Sequence, residues 1–280
     1  MLRCIGLEFR KNCYWPYVLL PVIGIVCLGF GNTVYDASGE SITLFELAGQ
    51  LRAGVIAPDI SFSAPVIWQQ GLGSWLVLFA PLLVSFGYIV TLSSERQNGQ
   101  MKFELIRAGS IRYCASKVVS GALFGGTVFL TGYVLFGLAV NIFFPTLSSF
   151  RAEEQSLCME LYLGNSMLSF VFRRLAGAFM FGVFSSVFGI GVAVFFEDKY
   201  MLICLPFLLN YIYQQIIQKT AQRLYADGAD SAVWAEAFYP PSIADISADR
   251  YWAVPVLALL LVYLAVTAAF CISVKRGKIS

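Results

Sequence analysis

Long runs of apolar residues, separated by shorter polar segments, dominate the chain. Because a bilayer core about 30 Å thick requires roughly 20 mostly apolar residues in a helix, these runs predict membrane-spanning helices. Six runs qualify: Tyr14–Gly31, Leu72–Leu92, Val118–Phe144, Leu175–Phe196, Met201–Ile217 and Tyr251–Val274. The predicted fold class is all-α, a polytopic membrane bundle of six transmembrane helices that forms one transmembrane domain over residues 1–280.

The segment before the first span, residues 1–12, has its own helical pattern. Leu2, Ile5 and Phe9 recur at helical spacing, and charged residues lie elsewhere around the helix. This pattern is typical of an amphipathic helix that lies in the membrane interface. The alternative is a positively charged flank that only sets the topology of the first span.

Composition supports a membrane protein. The chain is 58% apolar and 13% charged, with a mean hydropathy of +0.73, whereas soluble domains are about 45–50% apolar and about 25% charged. It contains no histidine, which excludes imidazole bases and most zinc-enzyme sites. The net charge of +2 offers no basic field for nucleic acid, so no nucleic-acid partner is expected.

Lysine and arginine in the connecting segments predict the orientation. With the N-terminus inside, the inner segments hold 12 basic residues against 5 acids, and the outer segments hold 7 against 12. Both termini are therefore expected to be cytoplasmic, in the cell membrane. Residues 32–71, 145–174 and 218–250 are then extracytoplasmic, and residues 93–117 form a cytoplasmic loop.

Two further expectations follow from this topology. The first span lacks a small-residue cleavage site after Gly31 and is interpreted as a membrane helix rather than a cleavable signal peptide. Only Cys158 of the seven cysteines lies in an outer segment, so no framework of internal disulfides is expected.

In residues 32–71, a short set of apolar residues is spaced for one helical face: Leu44, Leu47, Ala48 and Leu51.

The loop of residues 93–117 is the most informative segment. Asn98-Gly99 is a turn signal, good helix formers fill Gln100–Ala108, and Gly109 and Ser110 can end this helix and begin the next. The apolar residues on so short a cytoplasmic helix require a surface to pack into. The alternative is a solvated basic loop that obeys the positive-inside rule.

At this loop the chain resembles the type-2 ABC-transporter permeases, the membrane subunits of ATP-driven exporters and related pumps. The resemblance covers the whole chain as topology and about Glu95–Lys117 as motif. The matching elements follow one another in order: Glu95-Arg96, Asn98-Gly99, Met101–Arg107, the stretch Gly109-Ser110-Ile111-Arg112-Tyr113, and Lys117. The outer loop before the last span departs from the family because it lacks a clearly apolar pair of re-entrant helices.

The resemblance implies that the helix in this loop docks into a separate ATPase subunit. ATP and Mg would be bound in that partner, with no cofactor bound directly here, and a second permease copy or a related permease would face this one in the lipid bilayer. The implied coupling residues include the flanking Glu95 and the apolar Met101, Phe103, Leu105 and Ile106, which would contact the ATPase. They also include Arg96, Lys102, Arg107 and Arg112, which would make rim contacts.

The chain lacks a nucleotide-binding motif and lacks ionisable residues in its predicted spans, which is consistent with energy supplied by a separate subunit. The chain has no Gly-x-x-x-x-Gly-Lys-Ser/Thr motif, so it is expected to be non-catalytic itself. The six predicted spans contain no Asp, Glu, Lys or Arg, whereas ion-coupled carriers usually place ionisable residues there. A non-transporting scaffold, sensor or immunity protein remains the alternative, followed by an ion-coupled carrier.

Inside the spans, two patterns suggest roles. Asn210 and Gln214 share a helical face and could line a translocation path or hydrogen-bond a neighbouring helix. Small residues at helical spacing predict close helix packing, most simply within the subunit. They are Gly121 and Gly125 in the third span, and Ala178, Gly182, Ser186 and Gly189 in the fourth.

Overall fold

The apolar runs form long helices in a computed structural model of the chain, which is described for residues 2–35, 39–160, 166–196, 198–226, 237–244 and 253–275. Within this part, five helices are long and apolar enough to cross a membrane, and a sixth span results if the first two helices form one bent span. The protein is therefore an all-α polytopic helix bundle. The predicted basic residues Arg276 and Lys278 lie outside the described residues, as do Glu197 and Tyr251.

The described residues form twelve α-helices. In chain order they are α1 (Leu2–Asn12), α2 (Trp15–Phe30), α3 (Leu44–Arg52), α4 (Ala64–Gln70), α5 (Ser74–Gln97), α6 (Gln100–Ala108), α7 (Ser110–Phe143), α8 (Ala152–Cys158), α9 (Met167–Phe195), α10 (Lys199–Ala226), α11 (Pro240–Ala244) and α12 (Ala253–Lys275). Two 3-10 turns, Ile60–Phe62 and Leu147–Ser149, lie in the connections. We call the end of the bundle that carries α6 the α6 end.

Several helices extend beyond the predicted spans. The fourth begins at Met167 rather than Leu175, so Arg173 and Arg174 lie within α9. The fifth continues from Ile217 to Ala226, and α7 begins at Ser110 instead of Val118. Hydropathy identifies only the apolar stretch of a helix. The hydrogen-bonded helix itself continues through polar residues until a turn ends it.

The bundle is held together by close contacts between α7 and α9. A Cβ atom added at Gly182 would lie 2.6 Å from the Gly125 carbonyl oxygen, and one added at Gly125 would lie 2.6 Å from Ser186 Cβ. The two backbones therefore meet at a contact that only small residues allow. Large side chains, including Phe129 and Phe181, fill the core beside this crossing.

The segment between α2 and α5 contains more structure than its sequence pattern predicts. Strands β1 (Thr33–Tyr35) and β2 (Ser41–Thr43) pair antiparallel, with Val34 opposite Ile42. The predicted helical face appears in α3, where Leu44 and Leu47 are fully buried.

A capping box starts α3. The Thr43 hydroxyl accepts a hydrogen bond from the Glu46 N–H, and the Glu46 carboxylate accepts from the Thr43 N–H and hydroxyl. Hydrogen bonds from the Thr43 backbone and side chain lower the pKa of Glu46 below its usual value.

Helix α4 was not predicted, and it folds back against α7. The Trp68 indole N–H donates to the Tyr133 carbonyl at 3.2 Å, the Tyr133 hydroxyl donates to the Trp68 carbonyl at 2.9 Å, and the two rings stack. Tyr133 lies ten residues before the end of α7, which corresponds to about 15 Å along the helix. The approach depends on Gly137, where an added Cβ would lie 2.6 Å from the indole nitrogen.

Polar groups of α10 compensate for a proline within α5. Pro81 has no N–H, so the Val77 carbonyl four residues earlier has no partner within its helix. The Asn210 amide, which is 1% exposed, donates to the Val77 carbonyl at 3.0 Å and to the Leu78 carbonyl at 3.1 Å. The Gln214 amide also reaches the Val77 carbonyl, at 3.4 Å. These contacts connect two long helices through carbonyls that Pro81 disturbs.

Replacing Asn210 with Ala should destabilise the bundle by about 1–3 kcal/mol, because it removes two buried hydrogen bonds and leaves the Val77 carbonyl with only the longer contact to Gln214. The cost should shrink in the Pro81→Ala background, where a main-chain N–H is available to the Val77 carbonyl. A double-mutant cycle on thermal unfolding of the purified protein in detergent measures this coupling. Asn141→Ala is the control, because the Asn141 amide bonds to Gly137 on its own helix. Equal costs of Asn210→Ala in both backgrounds would contradict the assignment.

Candidate functional site

Helix α6 lies between two long helices, with a very short joint at each side. Asn98 and Gly99 separate it from α5, and Gly109 alone separates it from α7. Gly99 and Gly109 have φ angles of 67° and 80°, a region that glycine adopts without the strain of a Cβ atom. Three residues in total therefore separate α6 from the two long helices on either side of it.

The two faces of α6 have different surroundings. Met101 is 1% exposed, and both Met101 and the half-buried Leu105 pack into a hydrophobic cluster at the α6 end. Phe103 and Ile106 are 71% and 83% exposed. The sequence-predicted apolar contact residues thus separate into an inner pair and an outer pair. Three exposed basic residues accompany the outer pair: Lys102, Arg107 and Arg112.

Beneath α6 lies a group of five charged side chains, which we call the ion cluster. Its members come from four helices: Glu8 and Lys11 from α1, Glu95 from α5, Glu104 from α6 and Lys117 from α7. Glu8, Glu95 and Lys117 are buried, with at most 6% of each residue exposed, whereas Glu104 and Lys11 reach the surface.

Each ammonium of the ion cluster contacts several carboxylates. Lys117 pairs closely with Glu8 and Glu95, and its Nζ lies 4.0 Å from a Glu104 carboxylate oxygen. Lys11 Nζ lies 3.1 Å from Glu8 and 3.2 Å from Glu95, and it pairs closely with Glu104. The lysines therefore join α1, α5, α6 and α7 through shared carboxylates.

The surroundings of Lys11 favour its charged form. Burial alone lowers the pKa of Lys11, but the hydrogen bond to Glu104 and the nearby charges of Glu95 and Glu8 raise it well above its usual value. Lys117 also lies 5.5 Å from the centre of the Tyr113 ring, within cation–π range. With three carboxylates and two ammonium groups, the ion cluster has a formal charge of −1.

The donor set of the ion cluster is poorly suited to a metal ion. One oxygen from each of Glu8, Glu95 and Glu104 can be chosen so that all three lie within 4.8 Å of one another, a spacing that could hold a cation. Each of these carboxylates is already paired with an ammonium group. A metal ion would have to displace Lys11 or Lys117 from this charged environment.

Arg96, predicted to make a rim contact, is directed toward another helix. Its Nη1 donates at 2.9 Å to the carbonyl of Phe196, the C-cap residue of α9. Helix C-termini present unpaired carbonyls and partial negative charge, so a guanidinium group stabilises this end. Arg96 therefore links the α6 end of α5 to the end of α9.

The predicted small residues lie at helix contacts. Added Cβ atoms at Gly121 and Gly189 would approach the Tyr88 ring and the Ser85 hydroxyl, respectively. Ala178 is fully buried, and the Ser186 hydroxyl lies 2.8 Å from the Tyr263 hydroxyl of α12. Together with the Gly125–Gly182 crossing, these positions all contact helices of the same chain.

Sequence reasoning missed most of the ion cluster. It placed Glu8 and Lys11 among the charges around an interfacial helix, gave Lys117 only as the last element of the family motif, and gave Glu104 no role. One signal was available, because Glu8 shares a helical face with Ile5, Phe9 and Asn12 rather than the opposite, solvated face. A charged residue within the packing face of an amphipathic helix indicates a buried charged partner.

Comparisons with family models and with curated proteins find no match to this chain.

Lys117→Met should destabilise the protein by about 3–5 kcal/mol, because it removes a buried ammonium and leaves carboxylates facing one another. Thermal unfolding in detergent measures the loss. Lys11→Met is the matched control, and it should cost less because 37% of the Lys11 side chain is exposed. Adding Glu95→Gln to Lys117→Met should recover part of the loss, and an unchanged melting temperature for Lys117→Met would overturn the role assigned to the ion cluster.

Proposed function

We propose that this chain is the transmembrane permease subunit of an ATP-driven ABC transporter, an exporter of the type-2 class. It is non-catalytic, and a separate cytoplasmic ATPase subunit binds ATP and Mg and drives it. The observation that carries the proposal is α6, a short helix that exposes two large apolar side chains and is tied to α1 and α7 by the ion pairs of Glu104.

The distribution of basic residues supports a cytoplasmic position for the α6 end. Exposed basic residues at this end include Arg3, Arg10, Lys102, Arg107 and Arg112, as the positive-inside rule requires. Both termini are cytoplasmic in this arrangement. Helix α1 makes an angle of 66° with α2, which suits a helix lying in the membrane interface before the first span.

The outer face of α6 is the proposed contact with the ATPase. Phe103 and Ile106 present a small apolar surface to a hydrophobic groove, and Lys102 and Arg107 can pair with acidic residues at its rim. Met101 and Leu105, on the inner face, anchor the helix to the permease instead. This division separates the residues that bind the partner from those that transmit its movement.

The ion cluster is the proposed route of transmission. When the ATPase closes around ATP, it moves α6, and the glycine joints pass this movement to α5 and α7. Glu104 carries the same movement to α1 through Lys11. Because α1 leads directly into α2, four helices respond to the displacement of one short helix.

The proposed assembly contains a second permease copy, or a related permease, in the same bilayer. The apolar stretches of α10 and α12 are only 17% and 11% buried within this chain. Their free surfaces are available to lipid and to the second permease.

Ile106→Asp should disrupt association with the ATPase, because it places a carboxylate at the centre of the proposed apolar contact. Losing a hot-spot residue at the centre of an interface weakens binding by about 2 kcal/mol or more, or roughly 30-fold. The measurement is the yield of a nucleotide-hydrolysing subunit that purifies with the chain in mild detergent, together with the ATPase activity of the complex.

Phe45→Asp is the matched control, because Phe45 lies on α3 and is 75% exposed. It should leave ATPase recovery unchanged. Recovery of an ATPase with both variants would exclude the assigned contact. A chain that purifies without any ATPase from its native membrane would instead favour a scaffold or sensor.

A further inference from the structure

An open groove lies at the end of the bundle opposite to the α6 end. Helix α7 begins at the α6 end and runs for 34 residues, or about 50 Å, so its last residues reach the far end of the bundle. The groove has a volume of about 280 Å³ and lies between the end of α3, the segment after it and the end of α7. Its lining residues are Leu51, Arg52, Pro58, Ile142, Phe143 and Pro145.

The walls of this groove are held by contacts with the rest of the bundle. Phe143 packs edge-on against Phe30 at the end of α2, with 6.0 Å between the ring centres. The Pro145 carbonyl accepts a hydrogen bond from the Ala64 N–H at 2.9 Å, and Leu51 packs against the hydrophobic core. The groove is therefore formed by the packed fold before any ligand binds, which lowers the entropic cost of binding.

An exposed apolar stripe on α7 leads into the groove. Leu135, Leu138 and Ile142 follow one another at helical spacing, and all three are exposed. They cover about 10 Å of the helix, within a stretch that is apolar enough to cross a membrane. Exposed apolar side chains on a membrane-spanning helix can pack against lipid tails, so an acyl chain on this stripe continues directly to the groove.

Arg52 supplies the charged group of the groove. It is exposed, and it is the only basic residue in residues 32–71. Of the carboxylates in this segment, Glu46 is bound in the capping box at the other end of α3. Among the described residues, no ion pair joins Arg52 to a carboxylate. A guanidinium group presents several N–H donors that match the oxygens of a phosphate, so the groove combines an apolar wall with a cation that suits a phospholipid headgroup.

We propose that this groove binds one anionic phospholipid from the leaflet opposite to the α6 end. The phosphate accepts hydrogen bonds from the Arg52 guanidinium, and one acyl chain lies along Leu135, Leu138 and Ile142. The volume of the groove suits a headgroup rather than a whole lipid, because sites for small molecules typically measure about 300–1,000 Å³. Binding requires only that the chain spans a membrane, and no ATPase partner is needed.

The test uses the full chain purified in mild detergent, with phosphatidylglycerol as the anionic probe and phosphatidylcholine as its zwitterionic counterpart. Native mass spectrometry should show one phosphatidylglycerol retained at concentrations at which phosphatidylcholine is not. Arg52→Gln should weaken phosphatidylglycerol binding by roughly 10-fold or more, because it removes a charge-assisted hydrogen bond. The matched control is Arg223→Gln, which should leave binding unchanged, because Arg223 is an exposed arginine that also lies in the last turn of a helix, α10.

A second variant tests the acyl-chain contact without a change of charge. Ile142→Trp should narrow the groove and weaken phosphatidylglycerol binding, whereas Leu261→Trp, at an exposed site on α12, should not. Thermal unfolding without added lipid reports whether each variant is folded. Added phosphatidylglycerol should raise the melting temperature of the unmodified chain more than that of Arg52→Gln, because a ligand stabilises the folded state that binds it.

Equal binding of the two lipids would overturn the proposal, as would undiminished phosphatidylglycerol binding by folded Arg52→Gln or Ile142→Trp. Displacement of the lipid by millimolar inorganic phosphate would identify a site for free anions instead. A second copy of the chain in place of the lipid would identify a contact between copies. Either of these two results would also overturn the proposal.

Discussion

The arrangement of the α6 end depends on the pairing of Lys117 with two buried carboxylates. A lysine that is 2% exposed is stable only with close counter-charges, and Glu8 and Glu95 supply them from α1 and α5. Lys11 then completes the network by bridging Glu8, Glu95 and the carboxylate of Glu104. Because each charge is balanced by residues from other helices, the relative positions of these helices are coupled.

This coupling explains how a nine-residue helix can present a rigid surface. Isolated helices of this length are marginal in water, so α6 depends on tertiary contacts. Met101 supplies the apolar contact, and Glu104 supplies the charged contact with α1 and α7. With one face fixed in this way, Phe103 and Ile106 are held toward solvent at little further cost in conformational entropy.

Sequence patterns predicted the features whose causes are local. The long apolar runs, α6 between its glycine joints, and the buried face of α3 all follow from periodicity and turn chemistry. Contacts between distant residues were not accessible in this way. The pairing of Glu8 with Lys117, the return of α4 to Tyr133, and the Asn210 contact with Val77 each join segments whose proximity depends on the packed bundle. Hydropathy cannot distinguish a lysine that only sets the orientation of a span from one that becomes buried in the bundle.

Hydrogen bonding within the spans bears on where a transport path could form. The hydroxyls of Thr127, Thr131 and Thr267 donate to carbonyls of their own helices, and Asn210 donates to the carbonyls next to Pro81. The donors of these polar side chains are already hydrogen-bonded to backbone carbonyls. They therefore offer few free hydrogen-bonding groups to a path inside one chain. Under the proposed function, the weakly buried faces of α10 and α12 are the surfaces on which a second permease could complete the path.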